Sequence, residues 1–293
     1  MASKINQLCD LFKVRIGSAI MLCAVAGLAT TPAGAISAGE GAVVALAVFL
    51  SAAAAGALNQ YLERDLDGQM ARTRGRPFVT GAFTPSAYWP TLIVLLLAGA
   101  CAMAWLAGNL WSALFVFLGA FTYGVVYTVW LKRQTWWNIV WGGLAGSFAV
   151  LAGAAAADPA VAMVPLLLSV VLFLWTPPHF WSLAMALRRD YEAANVPMLP
   201  LVIGDRRAAW VILAHTVLLA LLALVPLAYG MGWLYLAGAV AGGGLFVHRG
   251  IALVREPGAK AAMANFHASL LQLALLLLGA IADRWLWPTS VFG

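Results

Sequence analysis

Runs of about 20 apolar residues recur along almost the whole chain, and this constrains the fold more than any other feature. A lipid core offers no water to backbone amides and carbonyls. Each such run must therefore satisfy its own hydrogen bonds, which favours membrane-crossing helices. Spans are expected near 16–34, 40–60, 88–107, 111–131, 136–157, 161–186, 209–229, 232–252 and 266–287. With 63% hydrophobic and 10% charged residues, an ordinary soluble domain is excluded. The expectation is an all-α polytopic membrane protein, in which nine transmembrane helices form a single domain over residues 1–293 and enclose a cavity open to the cytoplasmic side.

Charge placement sets the expected orientation. Sixteen of the 17 Lys and Arg fall in the N-terminal segment, in loops 61–87, 132–135, 187–208 and 253–265, or at Arg249, all on one side of a nine-span layout; Arg284 lies on the other. The connections near 35–39, 108–110, 158–160 and 230–231 contain none. Under the positive-inside rule the N-terminus is cytoplasmic and the C-terminus lies opposite. This also accounts for the net charge of +6 without a nucleic-acid partner. The first span, followed by further spans, is expected to remain rather than be cleaved as a signal. Cys9, Cys23 and Cys101 form no metal-binding or redox motif and are expected to be buried apolar thiols.

The second span ends in NQYLERDLDGQMARTRGRP, residues 59–77. Asn59, Glu63 and Asp67 are spaced by four, and each such step turns about 40° on a helix, so their oxygens share an arc of roughly 80° along about 12 Å of axis. Hard oxygen donors without thiolate suit Mg²⁺, and the arginines that follow suit phosphate. A metal-bridged diphosphate is the natural ligand. Asn59 lies within the apolar run, where a polar side chain needs a partner or a wet cavity. Arg72 and Arg76 repeat the four-residue spacing and are assigned to the diphosphate; Arg74 fits a juxtamembrane anchor equally well.

Two further segments are expected at the same end. YTVWLKRQTWWNIVWGGLAG supplies Tyr127, Lys132 and Arg133, the cations as further phosphate contacts, and its Gly142, Gly143 and Gly146 fit close helix packing. WTPPHFWSLAMALRRDYEAANVPMLP carries Pro177 and Pro178, expected to kink or break the helix, followed by His179 and Asp190. On a continuous helix His179 and Asp190 would lie roughly 16 Å apart and could not share an ion. His179 is expected deeper in the cavity, either touching an acceptor or steadying the proline segment.

These three segments resemble the UbiA-type intramembrane prenyltransferases, and the WTPPHFW segment resembles their haem-farnesylating branch. The resemblance covers nearly the whole chain. It implies that Asn59, Glu63, Asp67 and Asp190 are the catalytic, Mg²⁺-binding set, although Ala186 stands where the wider family has a further acid. It implies substrate contacts by Arg72, Arg76, Tyr127, Lys132, Arg133 and His179. The implied reaction is transfer of farnesyl from farnesyl diphosphate to a vinyl group of haem B in a bacterial-type inner membrane, giving haem O. A haem A synthase or terminal-oxidase assembly factor is the implied partner. Three alternatives compete: prenylation of a quinone precursor or other aromatic ring, cation-coupled transport, and a non-catalytic haem scaffold. Transport fits less well, because the charges gather at one face instead of along a midplane path.

Overall fold

A computed structural model describes residues 3–32 and 36–286, and among these all regular structure is helical. Two helices open the chain, α1 (Lys4–Leu11) and α2 (Val14–Thr30), bent by 47° at the break. Lys13 at that break has φ of 48°, a left-handed backbone that costs a non-glycine residue strain. α3 (Ala38–Leu62) starts in a capping box: Ser37 accepts from the Glu40 amide at 3.3 Å while the Glu40 carboxylate accepts from the Ser37 amide at 2.8 Å. The short α4 (Arg64–Gln69) follows, then α5 (Tyr88–Ala107) and α6 (Leu110–Phe121), which continues as a π-helical segment over Thr122–Leu131. α7 (Asn138–Gly142) and α8 (Leu144–Ala157) share one span. α9 (Met163–Ala186), α10 (Arg188–Ala193), α11 (Leu199–Ile203), α12 (Asp205–Leu222), α13 (Trp233–Arg255) and α14 (Ala259–Leu286) complete the chain.

Among the described residues eight helices are long and apolar enough to cross a membrane, and a ninth is counted when the bent α1–α2 pair is one span. The span expected near 16–34 falls on α2, which passes as a span together with α1. The helices form a ring in which α2, α3, α5, α6, α8, α9, α12, α13 and α14 each pack on the next and α14 returns to α2. α2 also packs directly on α8. There a Cβ added at Gly27 would stand 2.0 Å from the Val150 carbonyl oxygen, and one at Gly153 would stand 1.9 Å from that of Ala24. Two glycines, one from each helix, therefore set backbone-to-backbone contact. This replaces a hydrophobic driving force that lipid cannot supply. Gly142 and Gly146 likewise abut the Tyr127 ring and the Leu172 side chain.

Of the kink or break expected at Pro177 and Pro178, the break does not occur: α9 runs unbroken through both. Nearby hydroxyls bond other carbonyls of α9: Ser182 donates to that of Pro178 at 2.6 Å and Thr176 to that of Leu172 at 3.0 Å. Of the cysteines only Cys23 is buried; Cys101 is half-buried and Cys9 exposed, because α1 lies outside the ring's packed interior.

Candidate active site

The acidic motif keeps its helical spacing across a joint. α3 ends at Leu62 and Glu63 sits between helices, yet the Glu63 amide bonds the Asn59 carbonyl at 3.0 Å and the Asp67 amide bonds that of Glu63 at 2.8 Å. Asn59, Glu63 and Asp67 are all buried, at 2%, 1% and 2% exposure, so each must find a partner within the protein.

Each of the three holds a cation. Lys13 Nζ donates to Asn59 Oδ1 at 2.6 Å and to the Tyr123 hydroxyl at 2.7 Å. Lys132 Nζ is ion-paired with Glu63 Oε2. One Arg76 nitrogen, Nη1, reaches both Asp67 carboxylate oxygens at 2.7 Å. The α6 π-segment completes the floor: Asn59 Nδ2 donates to Thr128 Oγ1 at 3.1 Å, and that hydroxyl donates back to the Tyr123 carbonyl at 2.8 Å. Tyr123 and Tyr127 stack with centroids 5.6 Å apart, Lys13 lying over the first ring at 5.2 Å and Lys132 over the second at 5.7 Å. Burial holds the Lys132 ammonium below the ordinary lysine range against the opposing pull of Glu63. Beside them, burial raises the Tyr191 phenol.

Three cations thus face two carboxylates and an amide, an excess of positive charge suited to an incoming polyanion. Among the described residues no three His, Cys, Asp or Glu side chains are grouped to hold a metal. Mg²⁺ does not require that, since it commonly binds through one or two carboxylates plus substrate phosphates. The donor set fits this mode: Glu63 Oε1 is buried without a hydrogen-bond partner, an anionic oxygen still open to a cation.

The remaining candidates are placed less centrally. Asp190, on α10, accepts from the backbone amides of Ala71 and Arg72 at 3.2 and 3.1 Å and so clasps the two polar loops together. The Arg72 side chain is exposed. Arg133 forms a two-bond pair with Asp65, at 2.7 and 2.8 Å, on the exterior. His179 lies apart from this cluster, bonded through Nδ1 to Ser269 Oγ at 2.7 Å and stacked between Trp175 and Phe266. Sequence reading missed Lys13, Tyr123, Thr128 and Asn138. The last is buried and donates to the carbonyls of Lys132 and Pro197 at 3.3 and 3.2 Å, tying the lysine's loop to the second polar loop. Tyr123 had one usable signal, its four-residue spacing from Tyr127.

A model of the UbiA prenyltransferase family matches residues 20–282. Protoheme IX farnesyltransferase 2 of Paramagnetospirillum magneticum is 54% identical over 97% of this chain and 98% of that protein. The protoheme IX farnesyltransferase of Granulibacter bethesdensis is 37% identical over 94% of this chain and 89% of its own length. Two solved structures share the fold. A digeranylgeranylglyceryl phosphate synthase has a TM-score of 0.79 at 17% identity, covering 97% of this chain and 99% of that one. A UbiA homolog from Archaeoglobus fulgidus bound to DMAPP and Mg²⁺ has 0.69 at 16% identity, covering 94% and 99%. Extended similarity on both counts, joined to a ring of apolar helices with a cation-rich polar end, makes this chain an integral membrane prenyltransferase that belongs to the UbiA prenyltransferase family.

Proposed function

We propose that the chain transfers the farnesyl group of farnesyl diphosphate to a vinyl group of haem B, giving haem O and diphosphate. The observation that carries the donor half is the set of half-buried Lys13, Lys132 and Arg76 around buried Asn59, Glu63 and Asp67. The acceptor half rests on the 54% identical relative named for protohaem IX. Asn59, Glu63 and Asp67 would hold Mg²⁺ on one side, with Asp190 as the acid of the opposing loop. When bound, Mg²⁺ supplies charge neutralisation of the diphosphate.

Lys132 and Arg76 would exchange their carboxylate partners for phosphate oxygens, joined by Lys13 and by Arg72 and Arg133 from the rim. As the allylic C–O bond breaks, its electron pair leaves with the diphosphate, and fixed cations stabilise that growing charge more than they stabilise the bound substrate. The stacked Tyr123 and Tyr127 rings present π-faces that favour a neighbouring cation. The vinyl group attacks the allylic carbon, water adds to the resulting cation, and one proton is released, so haem B, farnesyl diphosphate and water balance haem O and diphosphate.

The working face is cytoplasmic in this reading, with the N-terminus inside, nine spans and the C-terminus opposite, in a bacterial inner membrane. The product would pass to a haem A synthase or a terminal-oxidase assembly factor. The test is incubation of detergent-purified protein with haem B, farnesyl diphosphate and Mg²⁺, with and without chelator, followed by chromatography and mass spectrometry. A chelator-sensitive porphyrin heavier by one hydroxyfarnesyl unit is expected; unmodified haem alongside folded protein would overturn the reading.

A further inference from the structure

We propose that His179 is an axial ligand to the iron of the haem substrate through Nε2, and so fixes how the porphyrin lies when its vinyl group is alkylated. The inference rests on haem being the acceptor. It is carried by the environment of this one side chain, which lies in the α9–α14 contact away from the acidic cluster.

The ring is 6% exposed and held on three sides. Trp175 stacks on one face with centroids 4.1 Å apart, and Phe266 on the other at 4.5 Å. At its edge, Nδ1 meets Ser269 Oγ at 2.7 Å. Ser269 has a single hydroxyl proton, which serves the Phe266 carbonyl at 2.6 Å. With its proton on that carbonyl, the oxygen accepts from Nδ1, which in that tautomer carries the imidazole proton. Ser269 is itself fixed, its carbonyl accepting from Trp175 Nε1 at 2.9 Å.

That assignment leaves the lone pair on Nε2, which has no hydrogen-bond partner among the described residues. Here one nitrogen is anchored by an outer hydrogen bond, the ring plane is clamped and the other nitrogen is free, which is the arrangement of a metal-ligating imidazole. Neutral imidazole suits iron, and histidine is the usual axial ligand of haem.

The adjoining strip of α14 carries further unmet polar capacity. Asn265 and Gln272, one turn to either side of Ser269, are fully buried at 0% exposure. Asn265 Oδ1 and both side-chain polar atoms of Gln272 lack partners. Polar groups at this depth in a membrane protein are costly unless a ligand or its water meets them.

The experiment is titration of haem B into the full-length protein in detergent, followed by optical and electron paramagnetic resonance spectra. Protein labelled with ¹⁵N-histidine is included, so that hyperfine coupling identifies the ligand without any substitution. The expected result is a histidine nitrogen bound to iron in the wild type. That signature should be lost in His179→Ala and restored in His179→Gly by added imidazole. Ser269→Ala should keep the ligand but weaken haem affinity by about tenfold. Haem bound with no histidine coupling, or with the same coupling in His179→Ala, overturns the ligation while leaving haem as acceptor intact. Failure of the wild type to bind haem, with farnesyl diphosphate still bound, overturns both.

Discussion

The two polar loops of this bundle handle their acids in opposite ways. In the first, Glu63 and Asp67 are buried and each is matched to a buried or half-buried cation. In the second, Asp190 faces two backbone amides of the first loop, while Glu192 and Asp205 share the half-exposed Arg188. Charges taken out of water are costly and persist only when paired, so the first loop concentrates electrostatic energy that a substrate can redirect. The second loop makes a mechanical clasp. The acidic segments thus differ: the first pairs its buried acids with cations, and the second bonds the backbone of the first.

The division breaks most sharply at Glu63. Glu63→Gln leaves the Lys132 ammonium buried without its counter-charge, and the expected loss is about 3–5 kcal/mol in thermal unfolding. Turnover should fall together with Mg²⁺ dependence; wild-type values of both would sink the assignment. Lys132→Met removes a cation that the proposal directs at the leaving group, and a drop of about 10²–10³ in kcat is expected in single-turnover assays. If KM alone rises, the lysine acts in binding and not in ionisation.

Asp190→Asn tests the clasp. Asparagine keeps one acceptor oxygen and sets an NH₂ against the other backbone N–H, so one charge-assisted bond becomes neutral and the other is lost, at a cost of about 1–3 kcal/mol. Hydrogen exchange should accelerate at the 71–72 backbone more than at Glu63, and uniform acceleration would contradict the separation of roles. The smallest effect is expected at the exterior. Arg133 holds the Asp65 carboxyl below the usual carboxylate range. Its stabilisation is therefore complete above the ordinary value of 3.8 and is lost as pH falls through the lower folded-state value. Because both groups are exposed, Asp65→Ala should cost less than about 1 kcal/mol at neutral pH, and pH-dependent melting should show the difference vanish in acid.

The Asn59, Glu63 and Asp67 pattern was legible because the i→i−4 hydrogen bonds continue across the α3–α4 joint, preserving the spacing read from sequence. Lys13 was not legible as a site residue. It reads as one more positive flank, and only the bend at its left-handed backbone turns the ammonium toward Asn59. Lys132 and Arg133 are neighbours with the same charge, yet one points inward and the other outward; the exit from a π-helical segment decides this, and charge alone does not encode it. At Pro177 and Pro178 local propensity argued for a kink or a break, yet the largely buried α9 continues through both prolines as one helix. His179 showed itself as unusual in sequence, whereas its partner Ser269 lies 90 residues away and carried no local signal.

The paired glycines of α2 and α8 have a further consequence for that lysine. Two mutual backbone contacts, at Gly27 and Gly153, stop α2 from rolling or sliding against its neighbour. Lys13 stands at the head of the same helix, 14 residues from Gly27, or about 21 Å along the axis. A lever clamped that far from its tip transmits any tilt to the tip. The glycine contact at the far end thus fixes where the helix lies, and the bend at Lys13 then directs the ammonium that this helix carries.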